Sequence, residues 1–277
     1  MPHIIRSGET VRAPERTLGW GGKGLNQAVA LARAGMETRL LARVGADADG
    51  LDDFLASYDV GTDLISVDPG QPTGHAIIQL DPDGHNCIII LSGANRAHDR
   101  RDLESALDGH GPGDLVLVQN ETNGVPTFVE AAKVRGLTVA YNPSPVDEGS
   151  AAVDLGLVDF LFVNEHEAMA LTGTSDTEAA LDVLASRLET TGIVLTLGDQ
   201  GSVFRRGTLE YRSPATQASV VDTTAAGDTF TGFFLATILR DGTPEHALDV
   251  AGRAAAIAVG RPGAAQSIPD RREVDGA

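Results

Sequence analysis

The run Asp222-Thr223-Thr224-Ala225-Ala226-Gly227-Asp228-Thr229-Phe230-Thr231-Gly232 places small residues directly ahead of a helical pattern, Thr229 to Leu239. Amides of Ala226, Gly227 and Asp228 can converge there on one anion at the positive end of the helix. Asp228 also suits a plain helix cap, the commonest role of Asp at a helix start. Against that stands the tight run of small side chains, which leaves space for a phosphate. A carboxylate facing a phosphate is electrostatically awkward unless it takes a proton from an attacking hydroxyl. A second candidate lies near the N-terminus, where Gly21-Gly22-Lys23-Gly24-Leu25-Asn26-Gln27-Ala28 runs into a helical stretch, Leu25 to Ala34. The glycines let a ligand approach the backbone, and Lys23 and Asn26 offer side-chain donors beside free helix amides. A glycine-rich turn before a helix explains the same spacing about equally well. From Gly19 the stretch spells G-x-G-x-x-G, yet no buried strand precedes it, so a dinucleotide fingerprint is rejected. Lys23 lacks the upstream glycine of a phosphate-binding P-loop.

These residues need a scaffold, and the apolar pattern supplies one. Short apolar runs at Leu115–Val118, Leu137–Tyr141, Phe160–Val163 and Ile193–Thr196 alternate with helical patterns at Thr127–Val134, from Glu165, and at Thr177–Leu188. Continuous apolar strands between amphipathic helices predict a doubly wound, mainly parallel α/β sheet with helices on both faces. Two Ala-rich helices, Thr229 to Leu239 and Pro244 to Val259, close the chain. One region breaks the rhythm. Ala76–Leu80 and Cys87–Leu91 flank the turn-rich Asp81–Asn86, which predicts a β-hairpin standing outside the sheet as a lid.

Composition narrows the class. The chain has 277 residues, 42% of them hydrophobic and 22% charged, as expected for a folded single domain spanning 1–277. Its formal net charge of −18 argues against nucleic-acid or anionic-membrane partners. A nucleotide remains compatible, because backbone amides can hold it locally. Cys87 is the single cysteine, so no internal disulfide forms. With no apolar run near 18 residues and no apolar signal core, the expectation is a soluble protein of a reducing, cytoplasmic compartment.

Taken together, the two motifs resemble the ribokinase branch of the carbohydrate kinase family named after a minor phosphofructokinase. Further matches follow in order: Pro72-Thr73-Gly74, Ser92-Gly93-Ala94-Asn95, Glu121, Asn142-Pro143, Asn164-Glu165-His166-Glu167, Thr196-Leu197-Gly198 with Gly201, and Gly263 with Ser267. The resemblance implies an ATP-dependent sugar kinase acting on a primary hydroxyl, with ribose to ribose 5-phosphate as the expected reaction. It implies that Asp228 is the general base, and that Ala225, Ala226 and Gly227 form the anion hole. Gly22, Lys23, Gly24, Asn26, Glu121 and Asp228 would hold the sugar. Asn164, Thr196, Leu197, Gly198, Asp199, Gln200, Gly201 and Gly227 would line the nucleotide site. Glu167 would organise hydrated Mg²⁺. Asp222, Thr224, Ala258, Arg261, Gly263 and Ser267 match the positions of a monovalent-cation site, taken as K⁺. A lid built from about 8–20 and 72–91 would pair two chains into a homodimer.

Two departures accompany the resemblance. The family begins with a buried strand whose Asn and Asp hold the sugar. This chain reaches Ser7-Gly8-Glu9-Thr10-Val11 at once, so that strand and two sugar contacts are expected to be absent. Gly252 stands where ribokinases commonly carry an Asn or His beside the adenine, which predicts looser nucleotide selectivity. The alternatives are a kinase for another pentose, a ketohexose or a nucleoside, or a catalytically impaired sugar-binding protein.

Overall fold

The computed structural model describes residues 3–80, 86–240 and 242–277. After an irregular stretch the first helix is α1 (Lys23–Arg33). Two small parallel pairs follow, β1 (Thr38–Arg39) with β3 (Val60–Gly61) and β2 (Ala42–Gly45) with β4 (Ile65–Asp68), around the short helix α2 (Leu51–Ala56). Next comes an antiparallel hairpin, β5 (His75–Leu80) with β6 (Asn86–Leu91), which among the described residues forms a two-stranded sheet of its own. The expected turn at 81–85 lies outside the described residues. Of the two segments expected to build a β lid, only the hairpin is β. Residues 8–20 carry neither helix nor strand, because their charged residues and Pro14 offer no alternating apolar face to bury.

The hairpin leads through α3 (Arg100–Ser105) into the central sheet. Its strands are β7 (Leu115–Gln119), β8 (Thr138–Asn142), β9 (Phe160–Asn164), β10 (Gly192–Thr196), β11 (Ser202–Arg206) and β12 (Leu209–Ser213), in spatial order 12-11-10-9-8-7. β7 to β10 run parallel, and β11 and β12 continue antiparallel. Helices α4 (Val125–Val134), α5 (Glu148–Ala151), α6 (Glu165–Thr172) and α7 (Thr177–Arg187) connect the parallel strands, and α8 (Ala226–Ile238), α9 (Pro244–Val259) and α10 (Arg271–Asp275) end the chain. This is the mainly parallel α/β architecture expected from the apolar runs. The edge strand β7 borders a groove of about 420 Å³ that 36–41 also line, and the described residues before Lys23 add no strand there.

Strand alternation sorts the core into two layers. Phe160, Phe162, Val194 and Phe204 face α1, α8 and α9. Leu161, Val163, Ile193 and Leu195 face the opposite layer, with Phe128 and Val129 of α4 and Leu181 and Leu184 of α7. Phe234 of α8 centres the first layer, with its ring 5.6 Å from Phe162 and 6.1 Å from Phe204.

Within that layer α1 and α8 touch at small residues. A Cβ added to Gly232 would lie 2.4 Å from the Ala30 Cβ and under 3.0 Å from backbone atoms of Ala30 and Leu31. Four residues earlier on each helix stand Asp228 and Asn26, on the same faces as Gly232 and Ala30. The close crossing therefore sets the polar turns against each other. Gly232→Val should force the helices apart and cost about 1–3 kcal/mol, the usual penalty of overpacking. A urea midpoint equal to that of the wild type would show that the contact does not constrain the packing.

Candidate active site

The polar candidates gather at the C-terminal ends of the parallel strands, where an open α/β sheet leaves its crevice. Glu121 follows β7, Asn142 ends β8, Asn164 ends β9 and Thr196 ends β10. Asn164 and Thr196 are register partners across β9 and β10.

Asp228 lies in the first turn of α8, and Ala225 is the N-cap, so the aspartate does not cap this helix. Ala225 takes a left-handed conformation, φ 61°, which is costly for a residue with a Cβ and swings the chain sharply into the helix. Asp228 is instead buried against α1, 7% exposed. Its Oδ2 accepts from Asn26 Nδ2 at 2.9 Å and its Oδ1 from Gln27 Nε2 at 2.8 Å. Burial pushes its carboxyl above the ordinary aspartate range. The Lys23 ammonium and the amides of Asn26 and Gln27 oppose that shift, while the charge of Glu167 adds to it.

Glycine 22 enters α1 at φ 97° and leaves the Lys23 amide free to donate to Glu121 Oε2 at 2.9 Å. Burial raises the Glu121 carboxyl, with the Lys23 amide and ammonium acting against it. Gly22, Lys23, Gly24, Asn26, Glu121 and Asp228 thus form one neighbourhood. The amides of Gly227 and Asp228 have no backbone partner among the described residues, whereas the Ala226 amide meets Thr223 O at 3.3 Å. Of the amides expected to converge here, those of Gly227 and Asp228 are thus without a backbone acceptor among the described residues, and that of Ala226 is engaged. Nothing within 4 Å would meet a Cβ on Gly227, so the space beside this residue is open.

Beside β9, Asn164 and Glu167 form a reciprocal cap. Asn164 Oδ1 accepts from the Glu167 amide at 2.8 Å, and Glu167 Oε2 accepts from the Asn164 amide at 3.0 Å. After Thr196 the chain turns tightly through Leu197, Gly198, Asp199 and Gln200 to Gly201, where Leu197 N donates to Gly201 O at 2.8 Å. Gly201 has φ 100°, and a Cβ there would lie 2.1 Å from Ser213 O. Only glycine permits this close approach of the turn to the strand beside it.

Asp222 ties the remaining group together. Its Oδ1 accepts from Thr224 N at 2.9 Å and Thr224 Oγ1 at 2.6 Å, and its Oδ2 from Gly263 N at 3.0 Å. Burial raises this carboxyl, but the hydrogen bonds outweigh burial and hold it below the ordinary range. Arg261 N donates to Ala258 O at 3.0 Å, while its guanidinium pairs with Glu273. Ser267 is fully buried, its Oγ donating to Ala264 O at 2.7 Å. Through Asp222 the segment before α8 is tied to the segment after α9.

Gln27 and Asn142 are the site residues that motif reasoning left without a role. The available signal was two adjacent polar residues, Asn26 and Gln27, in a helix otherwise lined by Leu, Val and Ala.

A sheet crevice with a helix end whose first amides are free, a buried carboxylate and convergent amide and ammonium donors fits an α/β phosphoryl-transfer enzyme. Comparison with known proteins agrees. The chain matches the pfkB family carbohydrate kinases over residues 2–271. It is 33% identical over 282 residues to a ribokinase of Haemophilus influenzae, spanning 99% of this chain and 92% of that protein. It is 32% identical over 272 residues to a deoxyribokinase of Salmonella typhi, spanning 95% and 89%. The crystal structure of a Cryptococcus neoformans ribokinase in complex with ADP superposes with a TM-score of 0.89 at 31% identity, covering 99% of this chain and 93% of that one. The chain belongs to the pfkB carbohydrate kinase family and is an ATP-dependent sugar kinase. No helix among the described residues is long and apolar enough to cross a membrane.

The field around Asp228 is open to direct measurement. In a ¹³C NMR titration the Asp228 carboxyl should have its midpoint above roughly 3.9, the unperturbed aspartate value. Lys23→Met should move it higher still, since the ammonium is the largest influence opposing burial. A midpoint unchanged by that substitution would show that Lys23 does not act on the carboxylate.

Proposed function

We propose that the chain phosphorylates the 5-hydroxyl of ribose with ATP. The observation that carries this reading is the buried Asp228 carboxylate beside the free amides of Gly227 and Asp228, with Asn26 and Lys23 alongside. Asp228 accepts the hydroxyl proton as the sugar oxygen attacks the γ-phosphorus in line. The bond from that phosphorus to the bridging oxygen breaks, and ADP leaves. The free amides stabilise the charge on the transferring phosphoryl group, and positioning supplies most of the acceleration. Lys23, Asn26 and Glu121 hold the sugar hydroxyls, with Gly22 and Gly24 letting the sugar approach the backbone.

ATP enters along β9 and β10, between Asn164 and the 196–201 turn, with its phosphates toward Gly227. Gly252 of α9 has only Thr216 Oγ1 near its Cβ position, at 3.7 Å, so no side chain there selects the base. Glu167 is half-buried and has one carboxylate oxygen outside the reciprocal cap, which suits a hydrated Mg²⁺. Mg²⁺ would neutralise charge on the nucleotide phosphates. The all-oxygen group of Asp222, Thr224 and Ser267 with the carbonyls of Ala258, Arg261 and Gly263 suits a hard monovalent cation such as K⁺. Bound there, it would steady the start of α8. The exposed, free thiol of Cys87 is consistent with a cytoplasmic setting.

The hairpin is the dimer element of this reading. Ile77, Ile78, Ile88, Ile89 and Ile90 are each about half exposed on its two faces, more apolar surface than a solvated two-stranded flap sustains. One face covers the sugar, and the other pairs with the hairpin of a second copy. Light scattering at micromolar concentration should give twice the chain mass; a monomer would count against the pairing.

The deoxyribokinase relative makes deoxyribose the second substrate to test. A coupled ADP-release assay over ribose, deoxyribose, fructose and nucleosides should give the highest kcat/KM with ribose. Asp228→Asn should lower kcat by roughly 10²–10⁴-fold, the worth of general-base catalysis, while ATP still binds. Activity within a few-fold of wild type would overturn the assignment of the base.

A further inference from the structure

The catalytic carboxylate is surrounded by amides whose orientations are not free. Asn142 Nδ2 donates to the backbone carbonyl of Phe162 at 3.0 Å. A carbonyl can only accept, so the Oδ1 of Asn142 must point the other way. That Oδ1 lies 3.2 Å from Gln27 Nε2, which also donates to Asp228 Oδ1 at 2.8 Å. The nitrogen of Gln27 therefore faces both acceptors, and its Oε1 is left to accept from Gln119 Nε2 at 2.6 Å. Gln27 is 1% exposed, and Asn142 is buried too. Burial limits competition from water at Gln27 and Asn142, and a reversed amide would set oxygen against oxygen at Asp228.

We propose that Gln27, oriented by Gln119 and Asn142, is the positioning residue of the catalytic base. It occupies Oδ1 of Asp228 permanently and so assigns the hydroxyl proton to Oδ2. The inference rests on the proposed role of Asp228. Among the described residues Oδ2 is held only by Asn26, itself a sugar-facing candidate whose Oδ1 is buried without a partner there. Arrival of a sugar hydroxyl can thus rearrange Asn26 and open Oδ2, while Gln27 stays fixed. The charged groups acting on Asp228 are Lys23 from α1 and Glu167 from α6, and Glu121 from the loop after β7 lies within their field. The amide of Gln27 is a neutral counterpart that favours the ionised base without adding charge.

Gln27→Met keeps an unbranched chain but removes the donor. Its Asp228 ¹³C midpoint should rise above that of the wild type, as should the acid limb of the pH–rate profile. The kcat should fall by roughly tenfold or more, as expected for a lost hydrogen bond to a buried charge. The sugar KM should change by less than about threefold, since this residue does not touch substrate. Gln119→Met should move the same quantities the same way, by less. Its effect should vanish in the double variant, because it acts only through Gln27. An unmoved midpoint in Gln27→Met, or additive effects in the double variant, would overturn the relay. Should Gln27→Met not fold, Gln119→Met alone decides, and an unmoved midpoint there overturns it. The midpoint needs no substrate, so it tests the relay apart from the enzyme's reaction. Inactive Asp228→Asn with wild-type behaviour in both methionine variants removes the relay alone; active Asp228→Asn removes the base.

Discussion

The contact between α1 and α8 at Gly232 and Ala30 is the constraint on which the site depends. Neither helix supplies a working arrangement by itself. α1 carries Lys23, Asn26 and Gln27; α8 carries Asp228 and the free amides of its first turn. They meet because a glycine and an alanine, one turn further along, let the backbones approach more closely than larger side chains allow. Interior packing is dense enough that a change of one methyl group there is felt. Helix geometry carries that closeness back one turn to the polar groups.

Electrostatics explains why those polar groups are amides and not charges. A buried carboxylate must be stabilised or it takes up a proton. A direct salt bridge would hold Asp228 ionised, at the expense of its ability to accept a proton. Two amide hydrogen bonds and a more distant ammonium leave the carboxylate basic while keeping it oriented. Asp222 shows the opposite balance. Three donors meet its two oxygens, and its carboxyl is held low. The two aspartates sit six residues apart and are tuned in opposite directions by their hydrogen-bond partners and their depth.

Much of the sheet could be read from apolar runs. Leu115, Phe160 and Ile193 begin strands or follow a strand's first residue, as expected, because strands buried on both faces must be continuously apolar. The pairs β1–β3 and β2–β4 escaped detection, since two to four residues are too few to establish a period. The antiparallel β11 and β12 escaped as well. β12 is a charged edge strand, Leu209-Glu210-Tyr211-Arg212-Ser213, and its polarity hides its register. In the site, the residues of the two glycine-rich segments were legible as motifs because small residues and lone charges stand out beside helix patterns. Gln27 and Gln119 were not. Their role lies in which way an amide faces, and that is set by partners 92 and 201 residues away in the chain.

The left-handed turn at Ala225 bears on what binding an anion costs. A glycine would adopt this turn without strain, but it would also wander among many other conformations. Alanine accepts a local penalty on the order of 1–3 kcal/mol, which the packing of α8 must offset. In exchange, the unfolded and loosened states of the loop are fewer. In the proposed reaction, the first turn of α8 would thus be in its receiving shape before a phosphate arrives, and association would lose less entropy to ordering the loop.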